Sequence, residues 1–157
     1  MKKKTMQRLF ISLFVVGIIV GYLLPGDFFT LGKKISEKPL KFSVIDVSKK
    51  FGQLDKENEY FKYTELVSTD LSSAELLRLE GAIPEHSHPN QIHYAYVYKG
   101  KSKITVGSEI VEAGPGSFVI FPKGVTHQIE RIGDSPVEVL LFSSPAFDNT
   151  FVMQPKK

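Results

Sequence analysis

The sequence predicts an all-β domain, a barrel or sandwich of short strands, and three observations predict it. From Tyr60 onward apolar and polar residues alternate in short runs, at 61–67, 74–79, 92–98, 103–106, 109–112, 117–121, 127–132 and 137–143. The gaps between later runs hold turn chemistry: Lys99-Gly100, Gly107-Ser108, Gly114-Pro115-Gly116, Pro122-Lys123-Gly124 and Gly133-Asp134. The runs recur at regular spacing with little helical periodicity between them, which makes an eight-stranded jelly roll the natural architecture.

The chain ahead of these strands reads differently. From Leu9 to Leu24 (LFISLFVVGIIVGYLL) no charge occurs, while Lys2, Lys3, Lys4 and Arg8 precede the run and Pro25-Gly26 closes it. A full membrane span takes about 20 apolar residues and the core of a signal peptide about 7–15, so the run lies between the two. Bulky Tyr22, Leu23 and Leu24 stand where cleavage wants small side chains, which favours an uncleaved transmembrane anchor over a removed signal. The basic cluster assigns the N-terminal side to the cytoplasm and the rest to the extracytoplasmic (periplasmic or extracellular) side; cleavage would instead give a secreted protein. The expected organisation is a basic segment at 1–8, an anchor or signal at 9–26, a tether and entry segment at 27–59 and a barrel at 60–157. Within the tether, Phe42-Ser43-Val44-Ile45 is expected to form an entry strand, followed by a short helix between 47 and 61.

Composition narrows the function classes. The 157 residues include no cysteine, which excludes disulfides, thiolate metal sites and CxxC redox centres. The formal charge of +3 is carried by the first 41 residues; beyond them twelve Lys/Arg face fifteen Asp/Glu. A nucleic-acid binder concentrates positive charge on its folded domain to neutralise phosphates, so that class is set aside.

The four histidines carry the chemistry. His86 and His88 are two apart, so an extended backbone points both rings to one side, where they can chelate an ion. His93 opens the run 92–98 and shares its face with Ala95 and Val97, small and apolar as an interior requires. His127 follows a Pro-x-Gly turn and opens another run. A lone histidine is ordinarily a hydrogen-bonded barrel residue, and the placement of these four is the strongest signal in the sequence.

Two stretches resemble the paired motifs of the cupin superfamily, G(X)5HXH(X)3-4E(X)6G and G(X)5PXG(X)2H(X)3N. The first is met by Gly81, His86, His88, His93 and Gly100, the second by Gly116, Pro122, Gly124, His127 and Arg131. Gly81 is one residue nearer to His86 than the pattern asks, His93 replaces the usual glutamate, and Arg131 replaces the usual asparagine. The segment from Ser144 to Asp148 is similar to the closing segment of small single-domain cupins of the conserved-barrel type. The resemblance implies a double-stranded β-helix, and one divalent transition metal (Fe, Mn, Ni, Co, Cu or Zn) on His86, His88, His93 and His127.

Four neutral imidazoles would leave the +2 charge of such an ion uncancelled, so a small anionic ligand is expected. Arg131, four residues after His127 and on the same face of a continuous strand, is a candidate for binding that anion, with a rim ion pair as its alternative role. Gln91, two before His93, is a candidate partner of the site, or else a turn residue bonded to backbone. Tyr94, Tyr96 and Tyr98 form a stripe on the opposite face from His93, which the resemblance assigns to an outer sheet face or a homodimer interface. No nucleophile–base pair is evident, and no catalytic residue is assigned.

Two functions follow. The first is a metal-dependent small-molecule oxygenase of the dioxygenase kind acting on an anionic substrate. The second is a non-catalytic, membrane-tethered cupin that holds a sugar or a metal. A sugar-phosphate isomerase is a weaker third, because phosphorylated sugars are scarce outside the cytoplasm.

Overall fold

The computed structural model describes residues 40–153. A short helix α1 (Val47–Lys50), capped by the Asp46 carboxylate on Lys49 N, runs into a 3-10 turn (Phe51–Gln53). The strands are β1 (Lys56–Glu57), β2 (Phe61–Ser68), β3 (Ser73–Leu79), β4 (Ala82–Ser87), β5 (Ile92–Lys99), β6 (Lys101–Val106), β7 (Glu109–Ala113), β8 (Phe118–Phe121), β9 (His127–Ile132), β10 (Val137–Ser144) and β11 (Val152–Met153). They form a six-stranded sheet, β1-β2-β3-β10-β5-β8, and a five-stranded sheet, β11-β4-β9-β6-β7, with every pairing antiparallel. The inner faces of the two sheets share one apolar core that includes Leu77, Leu79, Ile83, Val97, Ile104, Val137 and Leu141.

Alternation along β5 sets the interior. His93, Ala95 and Val97 are buried, whereas Tyr96 and Tyr98 are exposed. The tyrosine stripe therefore lies on the outer face of the six-stranded sheet, where Tyr94 stacks on Phe118 and Tyr98 on Phe51. Because the side-chain period is two, the pairing of His93 with Ser143 and Phe121 places all three on the inner face.

All eight expected strands are present. Three more were not expected: β1, β4 and β11. The omission of β4 has a cause, since Pro84 and the charged Glu85 interrupt its apolar pattern, and a register shift lies between Ile83 and His86. The entry strand expected at 42–45 is absent; Phe42 and Val44 are exposed, and no partner strand pairs there. The ordered domain begins before residue 60. Phe51 is buried on the outer sheet face, and Arg78 donates through Nη2 to Phe51 O at 2.8 Å and to Glu138 at 2.7 Å. The apolar run from Leu9 to Leu24 lies outside the described residues; among those described, no helix is long and apolar enough to cross a membrane.

Gly100 closes the tight β5–β6 turn with φ +76°, and a Cβ there would collide with the carbonyl oxygen of Pro136. Gly107, in the β6–β7 turn at φ +59°, has open space around it. Gly100→Ala is therefore expected to lower stability by about 2–4 kcal/mol and Gly107→Ala by only about 1–2 kcal/mol. Urea denaturation of the two variants beside the parent checks this; equal losses would contradict the role of the Pro136 contact.

Candidate metal centre

Each histidine is delivered by a different local device. His86 lies at the end of β4, past the register shift, and pairs across the sheet with His127 at the start of β9. His88 follows β4, where its carbonyl accepts from Gly124 N at 2.9 Å, tying the first motif to the Pro122-Lys123-Gly124 turn of the second. His93 comes from β5 in the other sheet. All four rings are buried and neighbouring: the centroids of His86 and His127 are 4.3 Å apart, those of His86 and His88 5.0 Å, and those of His88 and His93 4.0 Å.

Hydrogen bonds decide which nitrogens can bind. His86 Nδ1 lies 2.7 Å from Pro84 O, His127 Nδ1 2.9 Å from Val125 O, and His88 Nδ1 3.4 Å from Thr150 O, the longest of the three. A carbonyl oxygen only accepts, so each Nδ1 carries the proton and each Nε2 keeps its lone pair. Burial, first of all, then holds the rings neutral. It depresses the His88 and His127 pKa to about 4 and lowers that of His86, with neighbouring imidazoles adding to the effect for His88 and His127. Neutral, oriented imidazoles are what a divalent ion requires, and donor nitrogens of His86, His88 and His127 all lie within 4.8 Å of one another. This donor set fits a divalent transition metal, and its composition leaves the metal's identity open.

His93 stands beside this set rather than in it. Gln91 is buried, its Nε2 donates to Ala146 O at 2.6 Å, and its Oε1 is thereby turned to His93 Nε2 at 3.3 Å. The proton of His93 is thus on Nε2 and its lone pair on Nδ1, the reverse of the other three. Of the four imidazoles expected from sequence, three form the compact trio and the fourth ring lies alongside, 4.0 Å from His88 between centroids. Burial and the neighbouring imidazoles depress the His93 pKa to about 3.

Arg131 takes a rim position. Strand alternation places it on the same side as His127, but four residues of strand span about 13 Å, toward the other end of the barrel. Its Nη1 donates to Asp134 O at 2.6 Å in the exposed β9–β10 connection, and it does not line the cavity beside the histidines. Spacing gave the face and not the depth.

Two features of the site had no signal strong enough to find them. Phe147 and Phe151, in the segment after β10, pack on His93 and His86 with centroids at 5.9 and 5.6 Å, while β11 pairs with β4 at His86 and Ser87. Ala146 O and Thr150 O on this strap are also the acceptors for Gln91 and His88. The second feature is Glu75, an acid on the inward face of β3 that is 1% exposed, with Oε2 lacking any hydrogen-bond partner among the described residues.

A cupin-domain family model matches residues 76–143, the stretch that contains every one of these histidines. An uncharacterised protein of Streptomyces coelicolor is 31% identical over 74 residues, covering 46% of this chain and 70% of that protein. The chain belongs to the cupin superfamily. An uncharacterised protein of Methanocaldococcus jannaschii is 28% identical over 64 residues, which are 41% of this chain and 51% of that protein, so the match spans about half of that relative's length. Among solved structures, a conserved double-stranded β-helix protein of Klebsiella pneumoniae superposes with a TM-score of 0.59 at 17% identity. It covers 74% of this chain and 100% of the other, a likeness of fold.

Two outcomes are expected. Replacing His86 or His127 by Ala removes a donor of the trio and is expected to lower metal affinity by more than about 100-fold, whereas His93→Ala lowers it less than about tenfold. Competition with a chelator of known affinity checks the ranking. Burial also raises the Glu75 pKa to about 7, with Glu65 across β2 adding to it and a Ser73 hydrogen bond opposing. Between about pH 4.5 and 7 the folded protein keeps the Glu75 proton while the unfolded chain has lost it, so this residue's contribution to stability falls as pH rises. Glu75→Gln is therefore expected to raise stability by about 3 kcal/mol at pH 8 and by less than about 1 kcal/mol at pH 5, read from urea melts at both values.

Proposed function

We propose that this cupin is a metal-dependent oxygenase of small anionic molecules, with the ion on His86, His88 and His127. One observation carries the reading: three buried imidazoles, each with Nδ1–H committed to a backbone carbonyl, leave a trio of Nε2 lone pairs at the wall of an internal cavity. A redox-active metal bound there would supply Lewis acidity and electron transfer, with coordination positions left over for ligands. The chain supplies the rest. Neutral donors leave the ion's charge uncancelled and so favour an anionic ligand. Gln91 holds His93 with Nδ1 free to accept a ligand's hydrogen bond or to serve as a fourth donor. Phe121, stacked on His127 at 4.3 Å, and Phe147 and Phe151 keep bulk water from the rings.

The competing reading is a binding module, and its metal-holding form differs in one measurable respect. Metal analysis of untagged protein, followed by oxygen uptake in the presence of carboxylate and enolate candidates, separates the two. Redox-active metal with exchangeable coordination positions and ligand-dependent oxygen consumption is expected. Zinc held by all four histidines, closed to exchange, would replace the oxygenase reading with the binding one.

We also propose that the run from Leu9 to Leu24 anchors the domain on the extracytoplasmic side of a membrane. Support comes from its length, its lack of charge and the basic cluster before it. Retention in the membrane fraction after alkaline extraction is expected, and release of a shortened soluble form would overturn it.

A further inference from the structure

The cavity behind the histidines is lined by aliphatic and aromatic side chains, among them Leu77, Val97, Ile104, Val137 and Leu141. Among the described residues, Ser102 is the lone polar lining side chain apart from the imidazoles. It lies on β6, between β9 and β7, opposite Arg131 and Ala113. A polyhydroxylated ligand would lose its water here without gaining partners, at a cost for each hydroxyl left unpaired. An aliphatic group would gain free energy by the same transfer. Charge is welcome at one end alone, where the imidazole trio lies.

Size is bounded as well. The cavity measures about 90 Å³. An engineered apolar cavity of about 150 Å³ accepts benzene, so a planar six-membered ring exceeds the space unless the strap moves. Phe151 lines the cavity beside His86 and His88 and stacks edge-on against Tyr60, which holds that wall in place.

From this geometry we propose that the site takes a short aliphatic carboxylate or enolate, with its charged head at the imidazole trio and an alkyl part smaller than a benzene ring in the barrel. This rests on the metal reading for the head and on the cavity lining for the tail. It excludes sugars and sugar acids as ligands of this site, and it makes Phe151 a determinant of ligand size.

The test uses the full-length protein, metal-loaded and metal-free, with methyl NMR of the Leu, Val and Ile residues lining the cavity. The probes are acetate, propionate, butyrate, isovalerate, benzoate, lactate and glycerate, with 3-methylbutan-1-ol as the uncharged partner of isovalerate. For the loaded protein, affinity is expected to rise about fourfold per added methylene up to isovalerate. It should fall at benzoate, and at lactate and glycerate relative to alkanoates of the same carbon number. Phe151→Ala is expected to admit benzoate. Glycerate or lactate binding as tightly as its unhydroxylated counterpart overturns the ligand class, as does the absence of any methyl perturbation by the saturating series. Equal binding of isovalerate with and without metal, in step with the uncharged alcohol, overturns the metal-held head and the functional reading beneath it, while leaving the aliphatic tail standing. Benzoate bound by the parent as tightly as isovalerate overturns the size limit.

Discussion

The site depends on backbone carbonyls that fix the protonation of buried imidazoles. Pro84 O, Val125 O and Thr150 O each accept from an Nδ1–H, and every Nε2 lone pair is thereby directed away from its own backbone. Without those acceptors a histidine in an apolar barrel could take either tautomer, and the trio would present a mixture of donors and lone pairs. The acceptors are themselves products of irregular backbone. Pro84 sits in the shifted register of β4, Val125 follows the Pro122-Lys123-Gly124 turn, and Thr150 lies in the strap that returns after β10. The regular sheets supply the walls, and the departures from regularity supply the chemistry.

Burial has two opposite consequences in the same barrel. For the histidines it disfavours the cation and keeps lone pairs available, with His88, His93 and His127 all depressed to about 3–4. For Glu75 it disfavours the anion, and the carboxyl is pushed up to about 7. The histidines offset part of their desolvation through hydrogen bonds to backbone or to Gln91, whereas one Glu75 oxygen and the Ser143 hydroxyl find no partner among the described residues. The unsatisfied carboxyl oxygen marks Glu75 as a position that core packing alone does not explain.

The strap joins fold to function. Residues 145–153 are linked to β3 through Phe147 N on Ser73 Oγ at 2.8 Å, to the turn before β5 through Gln91, and to β4 through the β11 pairing. Asn149 receives Asn58 Nδ2 at 2.8 Å from the connection before β2, so the entry and exit of the barrel meet at the mouth. Phe61, Tyr63 and Phe147 pack edge to face or tilted in one group, and Tyr60 does the same with Phe151. One short segment thereby positions His88 and Gln91 while forming the outer wall of the cavity.

How much of this was legible follows from what periodicity can carry. Alternating runs and turn glycines determined the strands, the inward direction of His93, Ala95 and Val97, and the outward direction of the tyrosines, because a strand's faces are fixed by a period of two. Paired motifs marked the four histidines as neighbours. Contact between distant segments was beyond that reading: β4, whose apolar pattern Pro84 and Glu85 break; the strap, whose role exists once β11 meets β4; and the depth of Arg131, which a period of two leaves undefined. Sequence by itself determined which residues face the barrel interior and that imidazoles gather there. Only the tertiary structure decided which nitrogen of each ring is free and that His93 is held the opposite way from the trio, because both depend on acceptors brought in by other parts of the chain.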